Sequence, residues 1–240
     1  MADKREIERK YEAGPDVRLP DLRKISGVEG VEERGVTELD AVYYDTEDLR
    51  LAAASVTLRR RTGGADAGWH LKLPVEPGVR DEIAAPLSDT LPAELTALVR
   101  AHTRGDGLLP VVRLLSVREV RHLLDSDGAP LAELSRDAVV AERLDDGSTA
   151  QWEEIEVELA DGGDPAFLDS VDKKFRKAGL RHSAAPSKLA RALGETGRQR
   201  VGQGGGDLVP DARFDGQFEV PSGVRSSGSA PEGDGGRGQP

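Results

Sequence analysis

The sequence predicts an α+β fold: an eight-stranded antiparallel β-barrel with flanking helices and a disordered C-terminal tail. Three observations lead there. Eight runs alternate apolar with polar residues or concentrate β-branched and aromatic ones, the period-2 mark of strands. Several runs are joined by hairpin-type turns, TGGADAG, DSDGAP and LDDGS, which makes neighbouring strands antiparallel. Charges of one sign also collect on particular strands, which distinguishes a closed barrel from an open, wetted sheet.

The first strand is KREIERKYEA, and the short stretch VRLPDLRKI behind it reads as a helix. Strands VTELDAVYYDT, SVTLRRRT, WHLKLP and RDEIAA follow in turn. LPAELTALVRAHT then places Leu95, Leu98 and Val99 on one helical face. The long hairpins VVRLLSVREVRHLLD, LAELSRDAVVAERL and QWEEIEVELA complete the eight. DPAFLDSVDKKFRKAGL is the best-marked helix, with Asp164 as N-cap, Pro165 at its first position and Gly179 as its stop. Phe167, Leu168, Val171 and Phe175 form its apolar stripe, and KKFRK at 173–177 its wet face. A last short helix, PSKLARALGE, starts at Ser187. From Gly197 the chain turns into segments such as GQGGGD and SSGSAPEGDGGRGQP, which cannot bury enough apolar surface to offset ordering entropy. The folded unit is therefore residues 3–194. Residues 195–240 read as tail, with the run Phe214–Val220 the one exception.

Glu6, Glu8 and Lys10 stand at alternate positions, so on a strand all three share one face. Arg59 and Arg61 share a face with Thr57 while Val56 and Leu58 oppose them. Lys72 opposes Trp69, Leu71 and Leu73. Glu154, Glu156 and Glu158 oppose Ile155, Val157 and Leu159, and Glu133 and Asp137 lie opposite Leu134. A sheet with its charged face in water would give the same alternation. A solvated face mixes signs along each strand, however, because like charges repel. Here one set of strands offers Arg59, Arg61, Lys72 and Arg118, and another offers Glu6, Glu8, Glu133, Glu154 and Glu156. Eight strands can close around a small ligand. Paired carboxylates at i and i+2 suit a hard cation such as Mg²⁺ or Mn²⁺, and a facing wall of Arg and Lys suits phosphate.

Composition narrows the remaining classes. With 33 basic against 44 acidic residues the net charge is -11, which argues against a nucleic-acid partner. There is no cysteine and there are four histidines, so disulfides and thiolate metal sites are excluded. His70, His102, His122 and His182 fall on four different elements without ligand spacing. Trp69 and Trp152 read as packing residues. No apolar run approaches the roughly 20 residues of a membrane span, and MADKREIER has no signal-peptide core. A cytoplasmic location without membrane contact is the expectation; oligomeric state leaves no mark.

The ordered set E-x-E-x-K (Glu6, Glu8, Lys10), L-R-x-R (Leu58 to Arg61), Lys72, R-x-E (Arg80, Glu82) and E-x-E-x-E (Glu154, Glu156, Glu158) resembles the CYTH superfamily. Its members are also called triphosphate tunnel metalloenzymes. The resemblance runs from about Lys4 to Leu193. It implies a tunnel that binds triphosphate-containing substrates with Mg²⁺ or Mn²⁺. On that footing Glu6, Glu8, Glu154 and Glu156 bind metal, with Glu133 as a further ligand and Asp137 less firmly placed. Lys10, Arg59, Arg61, Lys72, Arg118 and Lys188 hold phosphate oxygens, and Lys10, Arg59 and Arg61 act in catalysis. Lys10 has a second reading as counter-ion to its flanking glutamates. Arg113 competes with Arg118 for the later arginine, and spacing favours Arg118. Many bacterial members continue into a helical CHAD domain where this chain has its Gly-rich segment.

The activity this implies is hydrolysis of a triphosphate, inorganic triphosphate first. A cyclase must also seat a base, and thiamine triphosphate calls for an aromatic clamp in a chain that is 4% aromatic. A polyphosphate- or nucleotide-binding module without turnover is the alternative of another class. A sheet protein with salt-bridged faces and no ligand is the third.

Overall fold

The computed structural model describes residues 2–14 and 17–202. The Gly-rich segment from 203 onward, with the run Phe214–Val220, lies outside the described residues. Eight strands form one closed ring: β1 (Ala2–Ala13), β2 (Gly30–Asp45), β3 (Thr57–Thr62), β4 (Gly68–Glu76), β5 (Val79–Pro86), β6 (Leu109–Leu124), β7 (Pro130–Arg143) and β8 (Thr149–Leu159). Their order around the barrel is β1-β5-β4-β3-β2-β6-β7-β8, and every pairing is antiparallel, as expected. β1 closes the ring by dividing its length. Residues Ala2 to Ile7 pair with β5 and Glu8 to Ala13 pair with β8. Glu6 therefore looks across at one set of partners and Glu8 and Lys10 at another.

Outward-facing side chains carry helices. Leu58, Trp69 and Leu71 pack under α1 (Arg50–Ala53) and α2 (Ala93–Thr103) against Leu51, Leu95 and Val99. Tyr11, Leu134, Ile155 and Val157 pack under α3 (Ala166–Lys177) against Leu168, Val171 and Phe175. Each such fully buried side chain stabilises the fold by about 1.5–3 kcal/mol. Gly179 follows the end of α3 at φ 88°, as read. At the other end the N-cap is Pro165, one residue later than read, and Asp164 Oδ1 accepts from Ala166 N at 2.9 Å just ahead of it.

One end of the barrel interior is apolar. Ala41, Tyr43, Val112, Leu114, Val139, Ala141 and Trp152 meet Leu189 and Ala192 of α4 (Lys188–Gly202), which plugs that end. The other end opens beside Lys4, Pro130 and Asp161 and the β3–β4 hairpin.

Two helical expectations need correction, and one short helix was not expected. Residues 17–25 do not form a helix. Only a 3₁₀ turn, Leu22–Lys24, forms there, because Pro20 lacks a donor and Asp21 turns its side chain onto Arg23 N. The four-residue α1 has no counterpart in the sequence reading. Buried Asp45 holds it, accepting from Thr46 N, Leu51 N and Ala52 N at 2.7–2.8 Å. The last helix starts as expected, with Ser187 Oγ accepting from Ala190 N at 3.1 Å, but runs past Gly194 to Gly202. Arg191 and Glu195 pair one turn apart across that glycine.

Candidate active site

Inward-facing side chains from all eight strands and α4 enclose a cavity of about 510 Å³. Strand register sets who meets whom. Lys10 lies opposite Glu156 and Glu8 opposite Glu158, while Asp137 lies opposite both Arg118 and Glu154. Across the ring, Lys72 stands opposite Glu82 and Arg59 opposite Tyr43 and His70. These positions follow from the two-residue period of each strand.

Nearly every carboxylate facing inward has a cation. Lys72 Nζ donates to both Glu6 oxygens at 2.6 and 2.8 Å. Lys10 Nζ donates to Glu8 Oε2 at 3.0 Å and also pairs with Glu156. Arg118 forms a fork on Asp137 at 2.7 and 2.8 Å and reaches Glu156 at 3.0 Å. Lys188, sent down by α4, sits 2.9 Å from Asp137, 2.5 Å from Glu154 and 2.7 Å from Glu156. One oxygen from each of these three carboxylates lies within 4.8 Å of the others. Behind them Arg191 stacks on Trp152 at 5.1 Å, and Trp152 Nε1 donates to Glu154 at 2.7 Å.

The arginine wall is less satisfied. Arg59 donates to the Tyr43 hydroxyl at 3.3 Å, its Nε finds no partner, and it has no ion pair among the described residues. Arg61 is only 4% exposed and meets one carboxylate, that of Asp66 in the β3–β4 hairpin.

Electrostatics follow from this crowding. Burial pushes the Glu6 carboxyl up to about 7, with neighbouring Glu82 adding to the rise against Lys72. Burial also opposes ionisation of Glu8 and Glu156, yet both are held below the ordinary range, Glu8 by Lys10 and Glu156 by Lys10, Lys188 and Arg118. Burial disfavours charge on Lys10 and Lys188 too, but the glutamates and Asp137 around them raise both. Burial, then Arg59 and Arg118, bring Arg61 down to about 9. Burial pushes the Tyr43 phenol up, but Arg59, with Lys188 and Lys72, more than offsets it and lowers the phenol.

Of the residues expected from the sequence, Glu6, Glu8, Lys10, Arg59, Arg61, Lys72, Arg118, Glu133, Glu156 and Lys188 all line the one cavity. Arg113 does not. It faces outward and forks onto Asp40 at 2.6 and 3.0 Å. Glu154 lies under the cavity wall at 2% exposure, covered by Lys188. Glu133 is four residues from Asp137 on β7, about 13 Å along the strand, and so sits towards the open mouth beside His122. Lys10 stands here as counter-ion to Glu8 and Glu156.

Among the cavity residues not singled out as site residues are Tyr43, Asp66, His70 and Glu82. His70 Nδ1 lies 2.6 Å from Glu82 and its Nε2 2.9 Å from the Asp66 carbonyl. Its place two residues before Lys72 on one strand face was the available signal.

The donor set fits a hard divalent cation. Asp137, Glu154 and Glu156 supply carboxylate oxygen and no sulfur or imidazole. On β1, Glu8 lies opposite Glu158 and Lys10 opposite Glu156, so Glu6 and Glu8 are offset along the barrel from Glu154 and Glu156 and share its inward face with them.

Comparison with known proteins agrees with this architecture. Two uncharacterised proteins from Mycobacterium tuberculosis strains are 42% identical to the chain over 207 residues, covering 80% of it. The chain spans only 40% of the length of those relatives. The crystal structure of a candidate adenylate cyclase from Bacillus halodurans shares the fold, with TM-score 0.56 and 19% identity over 80% of this chain and 98% of that one. No helix among the described residues is long and apolar enough to cross a membrane. The CYTH domain profile matches residues 4–193, and the chain belongs to the CYTH family.

Proposed function

We propose that this chain is a metal-dependent triphosphatase acting on inorganic triphosphate, with residues 3–194 and the remainder of α4 as the working unit. The observation that carries this is Arg59: a half-buried arginine whose buried Nε finds no partner, with no ion pair among the described residues, lining a cavity whose opposite wall is carboxylate. An unpaired cation in such a cavity asks for an anion. Tyr43 is the only phenyl-type ring among the described lining residues, so little there would grip a base or a thiazolium, which favours a naked substrate.

Glu6 and Glu8 of β1 with Glu154 and Glu156 of β8 are the proposed ligands of Mg²⁺ or Mn²⁺, Asp137 lying beside them. When bound, the cation neutralises phosphate charge and polarises the phosphorus and a water. The chain's own cations do the rest. Lys72, Lys10, Arg118 and Lys188 now hold carboxylates, and each turns its donors to phosphate oxygens as the anion enters. Arg59, with the Tyr43 hydroxyl fixing it, stabilises charge growing on the transferred group. Arg61 adds positive potential behind it. The apolar plug beneath Tyr43 excludes water from that end and keeps these interactions strong.

Orthophosphate release from inorganic triphosphate, ATP and thiamine triphosphate with Mg²⁺ or Mn²⁺, with and without chelator, tests the proposal. Cation-dependent release, fastest from inorganic triphosphate, supports it. Tight binding of all three without release supports the non-hydrolytic module instead.

A further inference from the structure

We propose that Asp66 is a specificity-determining residue: an internal anion that covers Arg61 and ends the run of phosphate-binding side chains, so that the cavity admits a short phosphate chain and turns away a longer one. This rests on the reading of the cavity as a phosphate-anion site.

The geometry supplies the argument. β3 runs from the plugged end, where Thr57 lies beside Ser187 at the start of α4, to the β3–β4 hairpin at the open mouth. Arg59 and Arg61 succeed each other along it, about 6–7 Å apart along the strand axis. Arg61 is therefore the last arginine of the wall before solvent. Its guanidinium is buried and crowded by Arg59 and Arg118, which help to bring it down to about 9. Its Nε has no hydrogen-bond partner. Such a group calls for an anion, and the anion it has is Asp66.

Asp66 is held in place. Gly63 and Gly64 turn the hairpin with φ of 80° and 72°. A Cβ on Gly63 would fall 2.1 Å from the Glu38 carbonyl oxygen, so the hairpin lies flat on β2. His70 Nε2 lies 2.9 Å from the Asp66 carbonyl and fixes the loop from inside. The carboxylate itself remains 65% exposed, so it lies at the mouth, between solvent and Arg61. A phosphoryl group extending past Arg59 would have to displace this carboxylate and then lie beside it. A triphosphate held between Lys188 and Arg59 need not.

The test compares affinities for inorganic tripolyphosphate and a long linear polyphosphate, by titration calorimetry with Mg²⁺, in wild type, Asp66→Asn and Asp66→Glu. In Asp66→Asn the affinity for the long chain should rise, relative to tripolyphosphate, on the order of tenfold, which is what one regained charge-assisted hydrogen bond supplies. Asp66→Glu should keep the wild-type ratio. Binding of tripolyphosphate with an unchanged ratio in Asp66→Asn, or an equal rise for both ligands, overturns this inference alone. Absence of tripolyphosphate binding to wild type overturns the phosphate reading together with it. Melting temperatures of the three proteins establish that all are folded; the exposed position of the carboxylate makes the substitutions tolerable.

Discussion

Replacing Lys188 with methionine should destabilise the empty protein and give it a new dependence on divalent cation. The ammonium lies within 2.5–2.9 Å of Asp137, Glu154 and Glu156, and the Lys188 side chain is only 10% exposed. Methionine keeps the stem and its packing but leaves three close carboxylates short of one positive charge. Removing one partner from a buried ion pair costs about 3–5 kcal/mol. At about 2–4 °C per kcal/mol for a domain of roughly this size, the melting temperature should fall by roughly 6–20 °C. A cation that takes the vacated position restores about 2.7 kcal/mol at a hundredfold excess over its Kd. Wild type should gain less, because Lys188 and a divalent ion compete for the same oxygens. Thermal unfolding with increasing Mg²⁺ or Mn²⁺ reads both effects. An unchanged melting temperature in Lys188→Met, or equal cation gains in the two proteins, would refute the assignment of Lys188 as resident counter-ion.

Other substitutions separate structure from chemistry. Arg59→Met removes a cation without an ion-pair partner, so the empty protein should keep its melting temperature while kcat on tripolyphosphate falls about 10²-fold or more; a fall in stability alone would contradict this. Glu6→Gln probes pH dependence. The Glu6 carboxyl rises from an ordinary 4.5 to about 7 on folding, so between those values the native state holds the proton the unfolded state has lost. Its contribution to wild-type stability therefore declines as pH rises through that window. The melting temperature of Glu6→Gln should gain on wild type from pH 4.5 to 7 and stay level above; a constant difference would argue against the raised carboxyl. Gly63→Ala, with its Cβ driven against the Glu38 carbonyl at φ 80°, should lower stability by at least about 1 kcal/mol, measured by denaturant unfolding.

Strands and inward faces were legible because alternation is local: Glu6, Glu8 and Lys10, or Arg59 and Arg61, declare their common side from sequence spacing alone. The same spacing puts His70 on the face of Lys72, a signal the sequence reading passed over, and Glu82 stood in a motif already noted, yet neither their mutual hydrogen bond nor the tie from His70 to Asp66 is local. Which arginine of β6 faces inward was settled by register, since Arg113 and Arg118 differ in parity and only the barrel says which parity is inside. The apolar plug was hidden for a related reason. Trp152, Val139 and Leu114 lie on the inward parity of their strands but contact one another only after the ring closes around α4. Helix ends were least visible. Pro20 and Asp21 reduce an apolar-spaced stretch to a single turn, whereas the Arg191–Glu195 pair and the packing of Leu189 and Ala192 carry α4 past a glycine.

The central claim is that this cavity hydrolyses the phosphoanhydride of a bare triphosphate with a divalent cation. Phosphorus NMR of tripolyphosphate incubated with the protein and Mg²⁺ follows substrate and products together. The account predicts orthophosphate and pyrophosphate growing in equal amounts, stopped by chelator and nearly abolished in Arg59→Met. A tripolyphosphate spectrum broadened by binding, with no product signals, would contradict it.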